Sequence, residues 1–219
     1  SKYVLIDIPY GKSAKVETLS RAKQLGRKFE KIGKKFKLKM KVVYTDGSQP
    51  IGNGFGPVLE MLDVLSILQR SLGFPVDLRT KSIFLSAELM SLCGIKDARN
   101  KARDILDSGK AYDKFKEIIN EQNKSKDFDK RISELPLAKI NKIIKATKTG
   151  KIINIDNKKI NALCRILGTP ETISSGVYLH KHIGKIKKGE PIITLYTKSK
   201  SKMDDALKFI KENKPIITK

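Results

Sequence analysis

"TDGSQPIGNGFGPVLE", the stretch from Thr45 to Glu60, decides the fold because it joins a strand pattern to a helix pattern. It follows the apolar run "KMKVVYT" and leads into a helical pattern from about Pro57 to Arg70. Upstream, "YVLIDIPYG" (Tyr3–Gly11) is typical of a buried strand, and residues 17–37 repeat apolar side chains at helical spacing. This order of strand, helix, strand, loop and helix predicts a parallel α/β unit with a right-handed crossover.

The rest of the chain predicts helices followed by a small mixed domain. Residues 77–123 are helical in pattern, with breaks at Gly94 and at Ser108-Gly109. The polar stretch 123–139, with its proline, is typical of a linker. Beyond it the pattern predicts a strand, a helix capped by Asp156 or Asn157, short strands joined by glycine turns, and a closing amphipathic helix.

These patterns predict two domains. Residues 1–130 are expected to form part of a parallel α/β domain with helical segments. Residues 131–219 are expected to form a small C-terminal α+β domain.

Composition argues against several classes of protein. The net charge is +23, but the basic residues comprise 38 lysines and 8 arginines spread over both halves, and only 6% of residues are aromatic. Proteins that read nucleic acid favour arginine and stacking aromatics, so we expect no nucleic-acid partner, and a basic nucleic-acid-binding protein is kept only as an alternative function. No apolar run or signal segment predicts a membrane partner, and the isolated Cys93 and Cys164 suit a reducing compartment, so a cytoplasmic location is expected.

The glycines at 52, 54 and 56 raise the question of phosphate binding. A glycine-rich turn before a helix can hold phosphate. Here the spacing is G-x-G-x-G rather than G-x-G-x-x-G, Pro57 removes an amide donor, and no Walker lysine follows. The spacing therefore favours a structural turn.

Two other segments carry candidate binding residues. In "IPYGKSAK" (Ile8–Lys15), Lys12 and Lys15 could capture an anion beside a helix start, or be ordinary exposed lysines. His180 and His182, expected on one side of a strand, could bind metal or lie on the surface; without an acidic or cysteine partner, no metal is expected. No catalytic set of serine, histidine and aspartate, or of paired carboxylates, is evident.

A carrier domain is a further alternative. "HIGKIKKGEPIITLYT" is similar to the half-repeat of biotinyl and lipoyl domains, which would make Lys198 the modified residue. Lys198 runs directly into a predicted helix, however, whereas such domains modify a lysine at a hairpin tip.

Three ordered motifs nevertheless resemble one family. "DIPYGKSAK", "TDGSQPIGNGFGPVLEMLDVL" and the segment from Gly150 to Thr197 resemble the thymidine/pyrimidine nucleoside phosphorylase family, and within it the archaeal-type AMP phosphorylase branch. The resemblance covers essentially the whole chain. It implies an α/β phosphate-binding-type domain followed by a hammerhead-like C-terminal domain.

The resemblance also implies an activity. AMP and phosphate would give adenine and ribose 1,5-bisphosphate, without a cofactor; a nucleoside substrate is the alternative within the family. Lys15 is the substrate-binding residue carried over, because the AMP-specific branch has a lysine there that contacts the nucleotide. Ser13 stands where the common pattern has glycine.

Two further expectations follow from the family pattern. Some pyrimidine-specific members hold a monovalent cation at the turn that resembles "PIGNGFGP", which would make the Ile51 and Gly54 carbonyls and Asp63 the ligands; a packing turn is favoured here. The family's N-terminal helical domain, with the phosphate loop and base-reading helix, has no counterpart in this sequence. A C-terminal fragment, inactive alone and homo-oligomeric in the full-length enzyme, is therefore expected.

Overall fold

The computed structural model describes residues 1–124 and 126–219. Within them, strands and helices alternate in the N-terminal part, helices follow, and a mixed region closes the chain. The strands are β1 (Tyr3–Tyr10), β2 (Lys39–Asp46), β3 (Gly54–Phe55), β4 (Ile140–Lys145), β5 (Gly150–Ile155), β6 (Gly176–Leu179), β7 (Gly184–Ile186), β8 (Pro191–Thr197) and β9 (Ile216–Thr218). The helices are α1 (Leu19–Lys35), α2 (Pro57–Leu68), α3 (Val76–Leu92), α4 (Ala98–Asp107), α5 (Lys110–Asn123), α6 (Phe128–Ser133), α7 (Asn157–Leu167) and α8 (Lys200–Asn213).

Strands β1 and β2 form the predicted parallel pair. Their register runs from Tyr3 opposite Lys39 to Tyr10 opposite Asp46, so both strands end at the same edge. Helix α1 connects them, and α1 and α3 pack against them. The loops that follow β1 and β2 therefore lie side by side.

The contact between α1 and the strands differs from the predicted apolar stripe. Ile32 is 49% exposed and Phe36 is 72% exposed, whereas Gly26 and Gly33 are buried against Tyr44 and Met40. A Cβ atom on Gly26 would lie 2.3 Å from the Tyr44 hydroxyl. The two glycines and the fully buried Ala22 let the helix approach the strands closely, so Ile32 and Phe36 of the predicted stripe lie outside this contact.

Helix α2 confirms the helix predicted from about Pro57 to Arg70, and helices α3 to α5 confirm the helical stretch predicted for residues 77–123. Their breaks fall where glycines were expected, with Gly94 and Gly109 both at positive φ. A separate apolar core lies between these helices and includes Ile67, Ile83 and Leu106.

The C-terminal region is built on two antiparallel sheets with strand orders β3-β6-β8-β4 and β7-β5-β9. Helices α7 and α8 pack on them around one core. Asp156, one of the two predicted caps of α7, accepts a hydrogen bond from the Lys159 amide at 3.1 Å. This arrangement confirms the α+β prediction, whereas the domain boundary at residues 130/131 stays a prediction. Among the described residues no helix is both long and apolar enough to cross a bilayer.

The prediction that residues 123–139 form a linker is wrong for the middle of this stretch, which is helical. Residues 128–133 form α6, and the fully buried Phe128 ring contacts the Tyr112 and Phe115 rings edge to face, with ring centroids 5.9 Å apart in both pairs. The amide of Ala138 donates to the Ser174 carbonyl at 3.0 Å. One aromatic side chain thus fixes a segment that composition alone describes as polar; Ser125 lies outside the described residues.

Replacement of Phe128 by alanine tests this docking. Because the ring is fully buried, Phe128→Ala is expected to lower the free energy of unfolding by about 3–5 kcal/mol. Urea unfolding followed by circular dichroism measures the change. Phe36→Ala, at an exposed phenylalanine, is the matched control and should change stability by less than about 0.5 kcal/mol. Equal effects of both substitutions would contradict a docked α6.

The two cysteines lie in different environments. Cys164 is buried in the C-terminal core, and burial raises the pKa of its thiol to about 12. Cys93 is exposed at the end of α3. Because Cys164 is buried and its thiol resists ionisation, only the exposed Cys93 should be accessible to a thiol reagent in the native protein.

Thiol titration at pH 8 checks this difference. One thiol per chain is expected to react rapidly with a disulfide reagent in the native protein, and a second only after denaturant is added. Cys93→Ser should abolish the rapid phase. Two rapidly reacting thiols in the native protein would contradict burial of Cys164.

Candidate functional site

The loop that carries Lys15 lies at the carboxyl edge of the parallel strands, where open α/β sheets place ligands. The Gly11 amide donates to the Val16 carbonyl at 3.0 Å, and the Ala14 amide donates to the Gly11 carbonyl at 2.9 Å, so the loop closes on itself. Lys15 lies within this closed loop with its side chain exposed. A short, ordered loop therefore presents two lysines, Lys12 and Lys15, to solvent.

The loop after β2 packs directly against the Lys15 loop. The Gly47 amide donates to the Tyr10 carbonyl at 2.8 Å. A Cβ atom on Gly11 would lie 2.6 Å from the Ser48 amide nitrogen, so only glycine allows this approach. The two loops form one backbone surface at the strand ends.

Ser13, at the position where the resemblance implied glycine, fits without strain. It is absent from the residues with positive φ, and its buried hydroxyl accepts a hydrogen bond from the Asn157 side-chain amide at 3.0 Å. Asn157 is the first residue of α7, 144 positions along the chain. The sequence singled it out only as a possible helix cap, because no local pattern indicates such a distant partner.

The turn with Gly52, Gly54 and Gly56 packs closely against the start of α2. The Asp63 carboxylate oxygen Oδ2 accepts hydrogen bonds from the amides of Asn53 and Gly54 at 2.6 and 2.8 Å. A Cβ atom on Gly54 would lie 2.4 Å from the Leu59 carbonyl oxygen. The glycines thus provide close approach, and Asp63 holds the turn against α2.

This environment shifts the pKa of the Asp63 carboxyl group. Burial raises the pKa of its carboxyl group, while the two amide hydrogen bonds oppose that rise. Because Oδ2 accepts hydrogen bonds from two amides of the turn, Asp63 stabilises the turn. A monovalent cation at this turn stays a prediction. Among residues 1–124 and 126–219, no group of three or more histidine, cysteine or acidic side chains is placed to hold a metal ion.

The two histidines have separate partners. His180 Nε2 lies 2.7 Å from the Thr194 hydroxyl, and burial lowers the pKa of its ring. His182 Nε2 lies 3.1 Å from Asn53 Oδ1 and 4.0 Å from Asp77 Oδ2. The expectation that both lie on a strand is wrong, since β6 ends at Leu179. An acidic neighbour does lie near His182, but it comes from the distant α3.

Lys198 does not lie at a hairpin tip. It falls between β8, which ends at Thr197, and α8, which begins at Lys200. The Ser199 hydroxyl accepts from the Lys202 amide at 3.3 Å and caps α8 directly after Lys198. A carrier domain needs an isolated lysine between two strands, so this geometry disfavours the carrier alternative.

Comparison with known proteins agrees with the motifs. Residues 151–216 match the pyrimidine nucleoside phosphorylase C-terminal domain. The AMP phosphorylase of Pyrococcus abyssi is 39% identical over 220 residues, and that of Thermococcus kodakarensis is 36% identical over 220 residues. A Legionella pneumophila (strain Corby) protein with a provisional thymidine phosphorylase name is 34% identical over 220 residues.

The similarity covers nearly all of this chain but less than half of the relatives. It spans 99% of the chain and 43% of each of the two AMP phosphorylases, and 98% of the chain and 41% of the Legionella protein. The chain therefore aligns with part of a longer protein. The matched C-terminal domain and the similarity along the whole length show that the chain is similar to the C-terminal part of proteins of the thymidine/pyrimidine nucleoside phosphorylase family.

Proposed function

We propose that this chain acts as the C-terminal part of an enzyme that phosphorolyses nucleoside 5′-monophosphates, in which AMP and phosphate give adenine and ribose 1,5-bisphosphate. The observation that carries the proposal is the similarity to AMP phosphorylases along 99% of the chain. The exposed Lys15 at the strand edge is the residue through which this chain would select a monophosphate.

Lys15 is suited to a phosphate group. A lysine ammonium is a compact positive charge with three donors, and its hydrogen bonds to a phosphate are charge-assisted. Helix α1 begins at Leu19, four residues after Lys15, and Glu17 lies just before its cap, so the positive charge offered by this loop comes from its lysine side chains. A 5′-phosphate at this edge would therefore meet favourable charge from Lys15.

The remaining parts of the reaction require residues outside this chain. Within the described residues, β1 and β2 form a two-stranded sheet, and apart from an isolated bridge between Tyr10 and Val16 each strand has one edge without a ladder partner. The matched region is 43% of the Pyrococcus abyssi protein, so more than half of that relative lies outside it. We infer that this additional part supplies the inorganic-phosphate and base sites and assembles the enzyme as a homo-oligomer in the cytoplasm.

Removal of the Lys15 charge tests substrate choice. In the protein that combines this chain with the upstream part of the family's sequence, Lys15→Ala is expected to lower kcat/KM for AMP by roughly 10- to 100-fold. This range corresponds to the loss of one charged hydrogen bond. The kcat/KM for adenosine should change by less than about 2-fold, because adenosine has no 5′-phosphate for Lys15 to contact. Steady-state assays with both substrates measure the two changes.

Two further variants separate this role from general charge effects. Lys23→Ala, at an exposed position on α1, controls for the loss of one positive charge. Lys12→Ala shows which lysine of the loop acts. Equal losses for AMP and adenosine in Lys15→Ala would refute a 5′-phosphate contact and favour nucleoside phosphorolysis, the activity indicated by relatives with thymidine phosphorylase names.

A further inference from the structure

We propose that Asn157 is a positioning residue through which the C-terminal region holds the Lys15 loop in place for the substrate. This inference rests on the proposed function, because it names the residue that orders the same site. Asn157 Nδ2 donates to the Ser13 hydroxyl at 3.0 Å and to the Gly47 carbonyl at 3.0 Å. One side chain thereby joins the loops that follow β1 and β2.

The orientation of the Asn157 amide follows from its partners. A backbone carbonyl can only accept, so the group facing Gly47 must be the NH₂ nitrogen, which has two hydrogens to donate. The Ser13 hydroxyl accepts the other hydrogen. Both donors are used, one in each loop, and no other asparagine orientation satisfies the Gly47 carbonyl.

Helix α7 gives Asn157 a rigid base. Asp156 caps the helix, and Ile160, Leu163 and Leu167 are buried in the C-terminal core. A side chain on a helix that is anchored in this way loses little freedom when it binds its acceptors. The position of the loop is thus set by the packing of a core more than a hundred residues away in sequence.

A second contact between the same elements is weaker. Lys158 Nζ lies 3.7 Å from Glu17 Oε1, and both side chains are more than half exposed. Exposed ion pairs of this kind contribute little to stability. Asn157 therefore provides the principal contact between α7 and the Lys15 loop.

Lys15 follows Ser13 by two residues, so a loosened Ser13 leaves the lysine free to sample other positions. Ordering the loop would then have to accompany substrate binding, which weakens binding of the 5′-phosphate without changing the chemical step. The expected signature is a higher KM for AMP with little change in kcat. Adenosine, which lacks the 5′-phosphate, should be nearly unaffected.

The choice of substitution distinguishes a positioning role from a helix role. Asn157→Asp removes the donor to Gly47 but places a carboxylate in the first turn of α7, where the helix dipole favours negative charge. If Asn157 contributed only to the stability of α7, this substitution would leave that stability unchanged or raise it. Asn161→Asp, one turn further along α7 at an exposed position, is the control for an amide-to-carboxylate change.

Amide hydrogen exchange on the full 219-residue chain is the first measurement, with the melting temperature recorded for each variant. Asn157→Asp is expected to speed exchange at Gly11, Ala14 and Gly47 at least 5-fold, because the hydrogen bonds of these amides close the loop after β1 or tie the loop after β2 to the end of β1. Asn161→Asp should leave these rates unchanged. Unchanged exchange in Asn157→Asp would overturn the proposal.

The second measurement uses the protein that also contains the upstream part of the family's sequence. Asn157→Asp and Asn157→Ala are expected to raise KM for AMP about 10-fold while kcat changes by less than about 2-fold. Ser13→Ala, which removes one of the two acceptors, should give a smaller rise. Faster exchange with an unchanged KM for AMP would overturn the positioning role.

Failure of the proposed function gives a different result. If the wild-type protein turns over no monophosphate, the proposed function is refuted, and the exchange measurement still decides whether Asn157 holds the loop.

Discussion

The pairing of Gly54 and Phe55 with β6 is the contact on which the rest of the structure depends, because it inserts a turn of the N-terminal region into a C-terminal sheet. This insertion needs glycine on β6 and directly after β3. A Cβ atom on Gly176 would lie 2.1 Å from the Phe55 carbonyl oxygen, and one on Gly56 would lie 2.5 Å from the Ser175 carbonyl oxygen. Both contacts are below any distance that a side-chain carbon tolerates. The glycine-rich stretch therefore serves close backbone packing between the two regions.

The same packing brings α7 to the ends of β1 and β2. Once β3 is fixed against β6, the first residue of α7 can reach the Lys15 loop, and Asn157 completes the contact. The C-terminal region thus contributes a side chain, Asn157, to the candidate site. The family resemblance indicated Lys15, and the structure shows that Asn157 donates hydrogen bonds to Ser13, in the same loop, and to Gly47.

Local patterns predicted the elements that depend on local physics. The helices from α2 to α5 followed apolar spacing and glycine breaks, and Asp156 capped α7 as its residue type suggests. The errors arose where distant contacts decide. Phe128 has mostly polar neighbours in sequence, but its ring is buried against Tyr112 and Phe115. Helix α1 packs through glycines, which carry no hydrophobic signal in the sequence. Asn157 could not be assigned to the site because its acceptors lie 144 and 110 residues away.

The most direct test of the central claim is the identity of the phosphorylated product. The protein that contains this chain and the upstream part of the family's sequence would be incubated with inorganic phosphate and either AMP, adenosine or thymidine, and the products followed by phosphorus NMR. The account predicts ribose 1,5-bisphosphate, with two phosphorus resonances, from AMP, and far slower formation of pentose 1-phosphates from the nucleosides. Rapid turnover of adenosine or thymidine, with AMP left intact, would contradict it.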